Sequence, residues 1–420
     1  MKKTLIITLC LCAVLAMAPL GTGFLAQKNY TELIESQSMA QLTLSNVDYN
    51  RGWLQSTINT QVDIQDPEVL RYYQDLFNTT KPLQVNIEHQ VQHGPLLFTE
   101  EGICFGFVAS HDTVTFTKTS APELNALTAN NAPAIAFSTF KFNGEYKTSI
   151  QIAAIQHQKD GEKLSIEPIS IELTAQDTIE TMQGSVEIPK VTFQINEQGS
   201  LNVADLKLQL KLWQENNTPL GQWELSYASI KAFKGDEILF DSQETSSQVS
   251  IQAQSTKPEL LDFSYEVHMK KLQIEENSYE SGHLQLDITN IPAQAFNTLS
   301  TNTSQQDAVQ NIPKLLSEGL LLKINAFNFT TPHGEVVGKL NAQLPKLSAQ
   351  QVEDLSYLRA NTTVSFDLSA PRDFVDGTSF VAQVPLLLMM GIVKEQDNIY
   401  SIKANLQDNK LQVNGKEMPF

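Results

Sequence analysis

The chain has 420 residues, with 29 Lys+Arg against 47 Asp+Glu and a net charge of −18. Gly (19), Pro (17) and Cys (3) are too scarce for a disordered, collagen-like or disulfide-stapled chain. A pI near 4.8 excludes nucleic acid as a partner, because phosphate binding needs a concentrated basic surface.

Met1-Lys2-Lys3-Thr4 leads into an uncharged run from Leu5 to Ala26, and the next charge is Lys28. About 20 apolar residues can cross a bilayer as a helix, whereas a cleaved signal has a shorter apolar core and a small-x-small site. Both readings stand: an uncleaved anchor, or cleavage at Ala16-Met17-Ala18, with Gly21-Thr22-Gly23 as a weaker site. Lys2 and Lys3 keep the N-terminus cytoplasmic, so the remaining chain is expected to be exported. Cys10 and Cys12 lie inside the apolar run, which leaves Cys104 alone and excludes an internal disulfide in the exported part. Leu9 and Leu11 precede those cysteines where lipid attachment requires a small residue.

Period-two alternation dominates from Ile58 onward, as in Leu83, Val85, Ile87; Leu206, Leu208, Leu210, Leu212; and Leu261, Phe263, Tyr265, Val267, Met269. One apolar and one polar face is the pattern of antiparallel strands covered on one side. The expected fold is therefore mainly β (α+β): a long antiparallel meander, curved or rolled, with a few packed helices and an N-terminal transmembrane or signal helix. Asp66-Pro67 supplies a cap and first-turn proline for a helix with Val69, Leu70, Tyr73, Leu76 and Phe77 on one face. Helical spacing also occurs near 30–38, 306–316 and 374–390, the last kinked at Pro385. Lys159-Asp160-Gly161 and Asp408-Asn409 read as turns. The polar stretch Asn297 to Gln306 is the expected internal linker. The organisation is then 1–27, anchor or signal; 28–296, β-rich body; and 297–420, a helix-plus-strand part continuous with the body.

His89 and His93 share the apolar parity of Leu83 to Val91. Four residues on a strand span about 13 Å, too far for two ligands of one metal ion. Both read as partly buried, hydrogen-bonded rings, or His93 starts a turn with Gly94-Pro95; metal and general-base roles are the alternatives. His268 and His283 fall on polar parity and read as solvated, as do His111 and His157. Glu100-Glu101 and Glu275-Glu276 read as solvated charges, since strand neighbours point to opposite faces. No HExxH, CxxC, GxSxG, P-loop or GxGxxG string occurs, so no metal, cofactor or catalytic residue is assigned. Val47, Tyr49, Arg51 and Trp53 would share one strand face, setting a guanidinium between two rings with Gly52 as a bulge. That string is either a packed, braced bulge or a surface for a carboxylate or phosphate.

Tyr49-Asn50-Arg51-Gly52-Trp53, His93-Gly94-Pro95 and the closing Leu411-Gln412-Val413-Asn414-Gly415-Lys416 hairpin, in this order, resemble the YdgA-like family of bacterial proteins of unknown function. Leu261 to Tyr265 and Ser281 to Leu284 are similar to further blocks of it. The resemblance implies a Gram-negative envelope protein with one inner-membrane anchor and a β-rich periplasmic body; a soluble periplasmic form after signal cleavage is the alternative. It brings no catalytic residues, so Tyr49, Arg51, Gly52, Trp53, His93, Gly94 and Pro95 are candidate positions as family motifs only. The expected role is non-catalytic binding or scaffolding, with a protein partner or self-association. A carrier of lipid or another apolar ligand is the alternative, and an enzyme using His89 or His93 the third reading.

Overall fold

The computed structural model describes residues 18–24, 26–28, 42–99, 102–117, 120, 123–129, 131–159, 161–176, 181–195, 198–215, 218–301, 314–348, 351 and 355–418. The chain is mainly β and divides into two compact units, residues 1–196 and 197–420. The expected linker at 297–306 lies inside the second. The helical segment expected near 30–38 and most of that near 306–316 fall outside the described residues, as does most of Leu5 to Ala26. Residues 18–24 and 26–28 are helical, and no described helix is long and apolar enough to cross a membrane.

In the first unit the strands are β1 (Leu42–Arg51), β2 (Gln55–Ile64), β3 (Gln84–His93), β4 (Leu96–Thr99), β5 (Gly102–Phe116), β6 (Ala134–Lys141), β7 (Tyr146–Ile152), β8 (Ile155–Lys159), β9 (Glu162–Ile166), β10 (Ile169–Gln176) and β11 (Thr181–Ile195). All pairings are antiparallel. They run β1-β2-β3-β5-β6-β7-β10-β11, and the far half of β11 continues onto β9 and β8. β4 folds back on the first residues of β5 as a separate hairpin.

Helix α1 (Pro67–Phe77) starts where the Asp-Pro signal places it, with Asp66 Oδ1 accepting from the Glu68 and Val69 amides at 2.9 Å. Its buried face is Leu70, Tyr73 and Phe77, packed with Leu83, Phe116 and Leu124; Val69, expected on that face, is 46% exposed. Tyr73, at 4%, sits where the hydrophobic contribution is about 2 kcal/mol per large side chain.

The second unit is the expected meander. β12 (Gly199–Glu215), β13 (Thr218–Lys234), β14 (Glu237–Ala253), β15 (Leu260–Ile274), β16 (Asn277–Pro292), β17 (Leu320–Thr331), β18 (Gly334–Leu344) and β19 (Thr363–Pro371) pair in chain order. β21 (Ile399–Gln407) pairs with β19, then β22 (Lys410–Val413) and β23 (Lys416–Met418) complete the terminal hairpins, while the short β20 (Lys394–Gln396) pairs with β21. Asp408 and Asn409, at φ 51° and 59°, make the expected two-residue turn. The sheet is not closed into a barrel.

Residues 374–390, expected as one kinked helix, are three short pieces: helix Arg372–Asp376, a 3₁₀ turn Ser379–Ala382 and helix Val384–Met390. Gly377 ends the first and Pro385 begins the last, so no piece exceeds two turns. A helix at Ala293–Thr301, not expected, carries Phe296 onto a small core of Leu220, Ile251 and Leu261.

Candidate functional site

The motif strings Tyr49 to Trp53 and His93 to Pro95 meet at one corner of the first unit, because β1 turns into β2 beside the end of β3. Gly52 N–H donates to the Gln55 carbonyl at 2.9 Å, closing the turn that sets Arg51 opposite Ser56. A Cβ at residue 52 would stand 2.3 Å from that same oxygen, which is why glycine is there. This corrects two expectations. The β1–β2 irregularity lies between Ser45 and Asp48 rather than at Gly52, and Trp53 lies beyond the strand, in the turn, so parity does not carry to it. The ring under the Arg51 guanidinium is Phe24, 5.8 Å from its centroid, and Arg51 Nη1 donates to Gln27 Oε1 at 3.3 Å.

The helical residues 18–24 and 26–28 therefore rest on this corner. Thr22 Oγ1 is 3.2 Å from the Gly94 carbonyl, and a Cβ at Gly23 would come within 3.0 Å of His93 Cδ2, so the imidazole packs flat on a bare backbone. The His93 amide donates to the Leu54 carbonyl and the Gly94 amide to that of Phe107; the Gly94-Pro95 peptide is cis. Gly94 has no room for a side chain: a Cβ would lie 1.7 Å from the Gly106 carbonyl oxygen.

His93 is 2% exposed and its Nε2 is 2.7 Å from Ser56 Oγ, itself 1% exposed. That is the spacing of a nucleophile and its base, yet no substrate reaches two groups so enclosed. Nδ1 is buried without a hydrogen-bond partner among the described residues, so no acid orients the ring from behind. Burial first, and then the nearby Arg51 charge, push the His93 pKa below its ordinary 6.5. The folded state keeps the ring neutral while the unfolded chain protonates it at 6.5. The His93 contribution to stability is thus complete above pH 6.5 and is lost as pH falls through the lower folded value. Melting curves at pH 5.5 and 7.5 are expected to differ more for the native chain than for His93→Gln; equal differences would refute the assignment.

His89 is on the apolar face, as its parity requires. Its Nδ1 donates to Asp112 Oδ1 at 2.9 Å, and Ser110 Oγ donates to Asp112 Oδ2 at 3.2 Å. The carboxylate stands between hydroxyl and imidazole, so Ser110 is not activated by His89; the arrangement holds the ring.

Beside the corner, the β4–β5 hairpin presents Leu96 opposite Phe105 and Phe98 opposite Ile103, all four exposed, while Leu97 on the other face is fully buried. Phe107, Phe140 and Phe142 stack next along, and these too are exposed. A contiguous exposed apolar patch of this kind marks a contact surface.

The second unit carries a larger apolar feature. Its registers align Leu210, Trp223, Val249, Tyr265, Leu286, Ile324, Leu340, Phe366, Ala404 and Val413 as successive cross-strand partners, one per strand from β12 to β19 and then on β21 and β22. Parallel rows flank it: Ile251, Phe263, Ile288 and Leu322 on one side, Val267, Leu284 and Phe327 on the other. All of the central row except Val413 is only half-buried. Phe296 covers one end, and Phe374, edge-on to Tyr279 and Phe329, covers another. Below Phe374 lies a cavity of about 430 Å³ lined by Val267, Met269, Leu272, Leu284 and Phe329.

On the opposite face, His268 and His283 are direct cross-strand partners. Their Nε2 atoms approach one carboxylate oxygen, Glu266 Oε1, at 2.8 and 3.0 Å, and their rings stack at 4.2 Å. Hydrogen bonding from His283, opposed by partial burial and aided by His268, holds the Glu266 carboxyl below the usual carboxylate range. His268 is solvated as expected, its side chain 55% exposed, but His283 is half-buried at 28%.

The fold is thus an open antiparallel β-protein with an uncovered apolar face and no assembled nucleophile site among its described residues. Over residues 1–420 the chain matches the family model described as "bacterial protein of unknown function (DUF945)", and it belongs to that family. No curated protein and no solved structure matches it.

Proposed function

We propose that the protein is a non-catalytic carrier that binds an extended apolar ligand, such as a lipid acyl chain, along the exposed face of the second sheet. The carrying observation is the unbroken cross-strand row from Leu210 to Val413, whose members as far as Ala404 are only half-buried. Leaving that much apolar surface wet costs about 25 cal/mol for each Å². A bound acyl chain would recover the cost, and strands give it parallel grooves about 4.8 Å apart.

The proposal places the body on the periplasmic side of a Gram-negative inner membrane, tethered by the apolar run ahead of residue 18 or released after cleavage, in keeping with the YdgA-like motifs. Lys2, Lys3 and the uncharged run after them support the orientation. The exposed β4–β5 hairpin supports apposition to the bilayer, because it adjoins the corner on which residues 18–28 rest. Burial of the same apolar face against a protein partner or a second copy is the competing outcome.

Native mass spectrometry and lipid extraction on the full-length chain, purified from a bacterial envelope in a detergent that is then exchanged, test the carrier reading. Near-stoichiometric lipid is expected. A ligand-free monomer would refute it, and a ligand-free dimer would replace it with self-association.

A further inference from the structure

We infer that Glu266, His268 and His283 form a binding site for a divalent late-transition cation, Zn²⁺ being the representative, on the polar face of the second unit. The ligand set is built by register: β15 and β16 pair so that His268 faces His283 directly, and Glu266 stands two residues along on the same face of β15. Glu266 and His268 already reach each other along one face of β15, and the cross-strand pairing adds His283, bringing the imidazoles to ring stacking distance, 4.2 Å.

The three donor atoms already converge. Two ligands bound at about 2.1 Å to one ion lie about 3.0 Å apart at a right angle and about 3.4 Å apart at a tetrahedral angle. The Nε2 to Oε1 distances are 2.8 and 3.0 Å, and all three donors fall within 4.8 Å of one another. A cation entering between them would keep the two Nε2–Oε1 spacings near their present values and would draw the two Nε2 atoms, now within 4.8 Å of each other, together by rotation of the stacked rings. Neutral imidazole offers its Nε2 lone pair in the Nδ1–H tautomer, so each Nε2–H···Oε1 hydrogen bond gives way to an N–metal bond as water takes the proton from Nε2 and returns one to Nδ1.

Donor chemistry selects the ion. Two imidazoles and one carboxylate suit Zn²⁺, Cu²⁺ or Ni²⁺ and discriminate against Mg²⁺ and Ca²⁺, which require oxygen ligands. Three protein ligands leave positions for water, and His268, the most exposed of the three, gives a route from solvent. The cross-strand neighbours, Ser246 beside His268 and Asn328 beside His283, are polar and uncharged, and Lys270, two residues beyond His268 on β15, has its charge paired with Glu244. Bound, it would cross-link two central strands directly behind the apolar rows, independently of whether those rows carry lipid.

The test uses the full-length chain without a polyhistidine tag. Calorimetric titration with ZnCl₂ is expected to show one saturable site per chain, weakened at least tenfold in His268→Asn, His283→Asn and Glu266→Gln and unchanged in His333→Asn, with no response to MgCl₂. Asn and Gln keep polar contacts on the strand face, so the variants retain the fold. In the native chain, Zn²⁺ is further expected to protect His268 and His283, and not His333, from carbethoxylation mapped by mass spectrometry. Absence of saturable binding, binding undiminished in the three variants, or equal modification with and without Zn²⁺ would each overturn the assignment.

Discussion

Gly94→Ala is expected to lower the melting temperature of the full-length chain by about 6 °C or more. The added methyl would sit 1.7 Å from the Gly106 carbonyl oxygen and 2.8 Å from its carbon, and both are backbone atoms that cannot rotate away. Relief requires β3 and β5 to part where the Gly94 amide donates to Phe107 and the Gly106 amide to Pro95. Loss of those bonds together with overpacking amounts to about 3 kcal/mol, and each kcal/mol moves a domain of this size by about 2–4 °C. Gly199→Ala is the control. Its nearest new contact would be Phe233 O at an ordinary 3.6 Å, and its melting temperature should match the parent within about 2 °C. A Gly94→Ala protein as stable as Gly199→Ala would show that the β3–β5 crossing is looser than described. The substitution should also detach residues 18–28, since Thr22 reaches the Gly94 carbonyl, and proteolysis before residue 28 would report that release.

The second large effect concerns ligand occupancy. Ile324→Glu puts a carboxylate at the centre of the apolar row, between Leu286 on β16 and Leu340 on β18. An ionised carboxylate against an acyl chain costs well over the 1.4 kcal/mol that makes a tenfold difference, so co-purified lipid should fall at least tenfold. Stability should change little, because Ile324 is only half-buried. Asn341→Glu adds the same charge on the other face, opposite Lys323, and should leave lipid content unaltered. Equal lipid in the two variants would end the carrier proposal.

Much of the second unit is legible in the sequence, because each strand pairs with the next and alternation alone states which face is apolar. The terminal hairpins were readable to the residue, since Asp408-Asn409 and Asn414-Gly415 adopt the positive φ that such turns demand. The first unit was less legible. Its β9 and β8 join the far half of β11, and no local pattern announces a pairing that skips β10. The corner was half legible: the motif glycines and His93 stood out, but Thr22, Gly23 and Phe24 were hidden inside a run whose apolarity already had an explanation. The His-Glu-His cluster was missed for a different reason. Reading His268 and His283 by parity alone put both on the wet face, which is correct, and stopped there. Had Glu275-Glu276 been taken as the two-residue turn it forms between Ile274 and Asn277, the register would have set His268 opposite His283 at once.

The sequential order of the second unit bears on how the chain assembles. From β12 to β19 every new strand pairs with the one before it, across short connections except at 293–319 and 345–362, so the sheet can lengthen one strand at a time as residues emerge from the ribosome. At each stage the newest strand is an open template that would pair with any passing chain. The growth stops on β22 and β23, which are four and three residues long and bring Lys410 and Lys416 to the margin. Short, lysine-bearing strands are poor templates, so this margin of the sheet resists further pairing.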